Sequence, residues 1–283
     1  MILVFFLASF AYSSFLVDDS RIHLGLSIEG GLAVNFRGVY SMPGVALYSI
    51  YDANSTDEGR IYMDPASPFA TTMASFMILF QERSLVVRPT SPENLCYLSQ
   101  ISYTQSLYPD RYSIFARISL LDLETETVLL QNNISESSME FTIDFSSSFD
   151  VVPDIILDEL QDAVSASQPI GFVRSYRHAG FGLVPTTRSF RFVCGSEDIL
   201  DQLPIVQYTI MSSSDPSEPL TFVRLFPRDY LGVDLSGSVC KSKIRSIPDD
   251  TQPGAIFGMP FISTVALHLD ISNGVRIGLG EPI

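Results

Sequence analysis

The chain is 283 residues long, carries 17 Lys+Arg against 32 Asp+Glu for a formal net charge of −15, and is 46% apolar with 17% charged residues. Such a length is one large domain or two smaller ones with ample material for a core, and the apolar share excludes a solvated low-complexity chain or an extended coiled coil. The acidic balance makes phosphate contacts repulsive, so nucleic acid is excluded as a partner.

Met1–Ser14 (MILVFFLASFAYSS) opens with an apolar run from Ile2 to Leu7 and passes through Ala11-Tyr12-Ser13, a small-residue pattern suited to a leader cleavage site. It reads as a signal peptide over residues 1–14 and predicts a secreted protein or one in the lumen of the secretory pathway. Ser9, Tyr12, Ser13 and Ser14 break the run short of the ~20 apolar residues of a spanning helix, so no stable membrane span is expected. Asn54-Ser55-Thr56 and Asn133-Ile134-Ser135 are N-x-[ST] sequons, making Asn54 and Asn133 candidate glycan acceptors on that route.

Runs rich in Val, Ile, Phe and Tyr recur at 31–40, 45–51, 84–87, 112–120, 139–143, 190–193, 205–210 and 220–225, separated by Ser/Pro/Asp/Gly clusters. This periodicity predicts an all-β fold with a few short helices, and no longer repeat points to a solenoid or propeller. The clearest helix spans 154–164: Pro153 precedes it, Asp154 can cap it, and Ile156, Leu160 and Val164 share one face. A weaker helix is expected over 69–76 after Pro65 and Pro68, a short helical turn over 197–202, and surface loops over 212–219 and 247–254.

Of the three cysteines, Cys194 and Cys240 would close a loop worth about 4 kcal/mol in the chain-entropy model, leaving Cys96 over. Three small buried hydrophobes is the alternative reading. His23, His178 and His268 share no short ligand spacing, and no H-E-x-x-H, G-x-S-x-G or P-loop string occurs, so no metal or cofactor is expected. Arg174, Arg177, His178 and Arg188 form a basic island, read as a solvated loop, with an acidic partner as the alternative.

The informative segment is Met139–Val164, MEFTIDFSSSFDVVPDIILDELQDAV. A strand delivers Asp144, followed by small hydroxyl residues, a second apolar run to Pro153, and the helix. This layout resembles the carboxyl-terminal lobe of the pepsin-like aspartic proteases, where two apolar residues precede Asp-Thr/Ser-Gly-Thr/Ser and an apolar-Pro step leads into a helix. Other stretches are similar in the same order. Thr56–Pro65 with Ser67-Pro68-Phe69 resembles the turn before a helix late in the first lobe, and Phe76–Phe80 with Ser84–Val87 resembles the paired strands opening the second. Gly254–Phe261 resembles the apolar-apolar-Gly motif, and Leu267–Gly280 the terminal hairpin. The resemblance places Cys194 and Cys240 where the second lobe has its disulfide. It implies a pepsin-like fold with residues 15–78 an abbreviated amino-terminal lobe and 79–283 the carboxyl-terminal lobe.

Aspartic proteases need two carboxylates sharing one proton, so that one activates water while the other donates to the scissile carbonyl. The resemblance makes Asp144 one of them, but Phe15–Ser55 contains no Asp-Thr/Ser-Gly, and Asp18-Asp19-Ser20-Arg21 does not match it. The loop departs from the pattern too. Phe145 replaces a hydroxyl that helps lock the two loops and Ser146 replaces the glycine, while Ser147 matches the next hydroxyl position. The expectation is an aspartic endopeptidase relative acting on peptide or protein, catalytically degenerate as a single chain; a homodimer in which each copy contributes Asp144 is the route by which it would regain a dyad. The alternative is a non-catalytic secreted peptide- or protein-binding pseudoprotease using strand pairing and apolar subsites.

Overall fold

The computed structural model describes residues 20–26, 32–35, 45–48, 58–63, 75–81, 84–87, 91–109, 111–129, 138–145, 147–167, 174–178, 187–194, 200, 202–233, 238–247 and 255–282. The expected leader, Asn54, Asn133 and Ser146 lie outside the described residues. Strands dominate. They are β1 (Ser20–Leu26), β2 (Leu32–Asn35), β3 (Val45–Tyr48), β4 (Glu58–Met63), β5 (Ser75–Leu79), β6 (Ser84–Val87) and β7 (Cys96–Gln105). There follow β8 (Ser113–Leu121), β9 (Met139–Ile143), β10 (Asp150–Pro153), β11 (Arg174–His178), β12 (Thr187–Val193), β13 (Ile205–Met211) and β14 (Pro219–Leu225). The last are β15 (Leu231–Val233), β16 (Val239–Ser242), β17 (Ile244–Ile247), β18 (Ala255–Phe257), β19 (Ala266–Asp270) and β20 (Arg276–Pro282). Among the described residues three α-helices accompany them, α1 (Asp154–Ser167), α2 (Pro227–Tyr230) and α3 (Met259–Ile262), with a 3-10 turn at Pro92–Leu95; no described helix is long and apolar enough to cross a membrane.

A nine-stranded sheet runs β3-β4-β2-β1-β6-β5-β19-β20-β7, so the first and the last described strands share one layer. An eleven-stranded sheet runs β14-β13-β8-β9-β18-β10-β17-β12-β16-β15, with β11 beside β12. One apolar core spans both sheets, taking Phe76, Ile78, Leu267 and Leu269 from the first and Ile114, Phe141, Tyr208 and Phe257 from the second. Strand β5 is buried on both faces: Phe76 and Ile78 enter this core, while Met77 and Leu79 join a smaller cluster with Val86 and Cys96.

Strand β8 shows the alternation that makes a sheet, with Ile114, Ala116, Ile118 and Leu120 buried and Phe115, Arg117 and Ser119 half-buried. The expected strand over 139–143 is β9, the expected pair 76–80 and 84–87 is β5 hydrogen-bonded antiparallel to β6, and the terminal hairpin is β19 with β20. The helix expected over 154–164 runs on to Ser167. It buries Ile156, Leu157, Leu160 and Val164 and packs on β10, β12 and β17.

Three expectations are corrected. Ser75 and Phe76, placed in a helix, begin β5, because a run such as Phe-Met-Ile-Leu buried on both faces of a sheet carries no period that separates strand from helix; residues 69–74 lie outside the described residues. Glu58–Met63, placed in a turn, is a strand whose backbone is satisfied by β2 on one side and β3 on the other. Arg174–His178, read as a loop, is β11, paired with β12 along its whole length. In the expected turn over 197–202, only Leu200, Gln202 and residues beyond are described, and both belong to a 3-10 turn.

Strand β18 fixes the centre of the larger sheet. It enters between β9 and β10, parallel to the first (Phe257 opposite Ile143) and antiparallel to the second (Ile256 opposite Val151). The loop joining β9 to β10 is therefore held over the end of β18, where Gly258 lies so close that a Cβ there would sit 2.2 Å from Phe149 O and 2.9 Å from Ser147 O. Both obstacles are backbone, which cannot swing aside. Gly258→Ala is expected to lower stability by about 3 kcal/mol, read as a lower urea midpoint, whereas Gly232→Ala, which would meet Cε of the flexible Lys243 side chain at 3.4 Å and Lys241 O at an ordinary 3.9 Å, shifts it by less than about 1 kcal/mol. Equal effects from the two would refute this steric account.

Candidate functional site

Strand β9 ends at Ile143 and presents Asp144, half-buried, at the start of the loop. The Asp144 N–H donates to Phe257 O at 2.9 Å, so the parallel ladder with β18 continues for one more residue and fixes the aspartate's backbone. Ser147 closes a turn by donating its N–H to Asp144 O at 3.2 Å, its own carbonyl accepts from Met259 N at 2.9 Å, and its hydroxyl donates to Phe149 O at 2.6 Å. The hydroxyl expected at this position is thus used to shape the loop. Phe145 points the other way. It is 4% exposed and meets Tyr112 edge to face at 6.2 Å, inside the main core.

The loop contains a second carboxyl group that sequence reasoning missed. Asp150 opens β10 and is completely buried. Oδ1 accepts from Gly258 N at 2.7 Å and from Phe261 N at 3.4 Å, and Oδ2 accepts from the Tyr208 hydroxyl at 3.0 Å. Around it, Phe257 stacks on Phe141 and Phe261 at 4.1 and 3.8 Å, with Tyr208 set edge-on to all three. Burial in this aromatic nest pushes the Asp150 carboxyl up to about 7, against the lowering effect of its three donors; burial and the neighbouring Asp150 likewise raise the Tyr208 phenol. In sequence, Phe149-Asp150-Val151 looks like a turn entering a strand, and nothing local marks the aspartate as internal.

Cys194 and Cys240 are disulfide-bonded, with Cα atoms 5.5 Å apart, stapling the end of β12 to β16. Cys96 is free and buried, and burial followed by Glu93 pushes its thiol up to about 11, which makes it a packing residue rather than a nucleophile. Arg188 is committed to helix α1: its guanidinium meets Asp158 at 2.6 Å and Asp154 at 3.5 Å, beside a Ser246 hydroxyl that donates to Asp154. His268 is buried with Nδ1 2.7 Å from the Tyr103 hydroxyl, and burial pulls its imidazole down. Among the described residues no three His, Cys, Asp or Glu gather to hold a metal ion.

Beside the loop, past Ser148 and Phe149, opens a cleft of about 750 Å³ whose walls come from β12, β15, β16, β17 and α3. A second groove of about 700 Å³ lies between β14 and the β7–β20 edge of the other sheet. Set against known proteins, the chain matches no family model, and no curated protein matches its sequence.

Asp150 and His268 act on stability with opposite signs. Asp150 has a folded-state value raised from 3.8 to about 7, so its contribution is complete below 3.8 and is lost as pH rises through about 7, a loss on the order of 4 kcal/mol. His268, lowered from 6.5, costs stability as pH falls through that value. Urea unfolding across pH 4 to 8 is therefore expected to show a smaller fall of stability toward high pH in Asp150→Asn than in the unmodified chain. Parallel profiles for the two would refute the assignment.

Proposed function

We propose that the chain is a pepsin-like scaffold that holds peptide or protein segments without hydrolysing them. Phe145 carries this reading. Where the resembling family places a hydroxyl that ties the two catalytic loops together, this chain packs a phenyl ring into the core, 4% exposed, and a phenyl ring donates no hydrogen bond. A dyad needs its two carboxylates held close enough to share a proton, so loss of the locking donor removes positioning that catalysis depends on.

The pepsin-like part of the reading is supported by motifs that are remote in sequence and adjacent in space. The Asp144 loop and the apolar-apolar-Gly stretch Ile256-Phe257-Gly258 meet through the Asp144–Phe257 and Ser147–Met259 backbone hydrogen bonds. The apolar-Pro step at Val152-Pro153 leads directly into α1, and β19 with β20 forms the terminal hairpin. Secretion belongs to the same proposal, since a disulfide suits an oxidising compartment. No cofactor takes part.

The purified chain incubated with denatured protein at acidic pH is expected to release no new peptides by mass spectrometry. Pepstatin-sensitive cleavage that disappears in Asp144→Ala, whether by monomer or homodimer, would overturn the proposal.

A further inference from the structure

The sequence contains two lysines, Lys241 and Lys243, and both line the cleft beside the Asp144 loop together with Arg191 and Arg245. Four cations thus converge on about 750 Å³ in a chain whose net charge is −15. Among the described residues one carboxylate lines the same space, Asp229, whose backbone carbonyl accepts from Lys243 Nζ at 3.3 Å.

The sheet register makes the crowding expensive. Arg191 on β12 lies directly opposite Lys241 on β16. Like charges directly opposed across strands destabilise a sheet. The disulfide between Cys194 and Cys240 ties the same two strands next to that pair, so the cations are held together covalently. Burial, with Arg245 and Arg191 adding repulsion, pushes the Lys241 ammonium down; burial does the same to Arg245, and to Lys243 against the pull of Asp229. The Arg245 guanidinium stacks 3.8 Å from the Phe149 ring centroid, and its Nε is buried without a hydrogen-bond partner. The face of this cation rests on the ring and its Nη1 donates to Thr187 Oγ1 at 3.4 Å, an anchoring that holds the guanidinium at the cleft for a carboxylate. Gly232, opposite Lys241 on the edge strand β15, adds no side chain to the cleft.

We infer that this cleft binds an acidic peptide segment, whose carboxylates neutralise Arg191, Lys241, Lys243 and Arg245 while its apolar side chains rest on Phe80, Val233, Met259 and Pro260. Both kinds of lining are present within one space. A short segment suits it better than a long polyanion, because a nucleic acid running past the cleft would bring its further phosphates within a Debye length of about 8 Å of the surrounding surface of a chain of net charge −15. That the occupant is a peptide rests on the proposed function; that it is anionic rests on the cleft alone.

The test is fluorescence anisotropy with a short labelled peptide of alternating Glu and Leu, its Gln/Leu analogue, and the full chain in unmodified form and as the double variant R191Q/K241Q. Both substituted side chains are exposed, and circular dichroism checks that the fold is kept. The expected result is binding of the Glu peptide about tenfold or more tighter than the Gln analogue, a preference abolished in the double variant and weakened by salt. Equal affinity for the two peptides overturns the inference and leaves the peptide-holding reading in place. Failure of the Glu peptide to bind also overturns it. Mass spectrometry of the same mixtures separates the remaining case: a Glu peptide preferred and cleaved supports the acidic preference while overturning the non-catalytic reading.

Discussion

The backbone N–H of Gly258 donates to the Asp150 carboxyl at 2.7 Å, joining segments 108 residues apart inside the most aromatic part of the core. It brings the end of β18 between β9 and β10, and from that position the other features follow. The parallel ladder on one side fixes where Asp144 leaves β9, and the antiparallel bridge on the other sets the start of β10 and so of α1. The second oxygen of the carboxyl takes the Tyr208 hydroxyl from β13, and the first also accepts from Phe261 N within α3. One buried side chain thereby satisfies donors from three elements that would otherwise be unpaired in an apolar interior.

Charge is distributed against the grain of the composition at two places. An acid is buried among Phe141, Tyr208, Phe257 and Phe261, and bases are concentrated around an open cleft in an acidic chain. The first is compensated internally by three hydrogen bonds. The second sets Arg191 directly opposite Lys241 across a ladder that a disulfide holds shut. Departures from local consistency that are structurally maintained mark places where something other than stability is served. The two are linked through Phe149, whose carbonyl limits the space at Gly258 and whose ring carries the Arg245 guanidinium.

Much of the strand content was legible because alternation and β-branched composition act locally. The runs at β6 and β9 and the helix after Pro153 coincide with their expected limits or extend them. The start of β5 was ambiguous, with Phe76 falling both in an expected helix and in an expected strand, because burial on both faces erases the period that distinguishes the two. Asp150 was missed for a different reason: its partners are Tyr208, Gly258 and Phe261, and no window around position 150 contains any of them. Of the basic island read at Arg174–Arg188, Arg188 is taken by Asp154 and Asp158 of α1, while Lys241, Lys243 and Arg245 reach the cleft from a part of the chain far from it in sequence.

The amino-acid sequence by itself determined that the chain is strand-dominated, acidic and apolar enough to build a large core, and that Asp144 sits between a strand and an apolar-Pro step into a helix. These properties depend on composition and on neighbours a few residues apart. Only the tertiary structure decided that β18 passes between β9 and β10, that Phe145 turns into the core, that Asp150 is internal, and that the two lysines share a cleft with two arginines. Each of these requires contacts between residues remote in sequence, and their energies, set by desolvation and backbone pairing, exist only once the sheets have closed on one another.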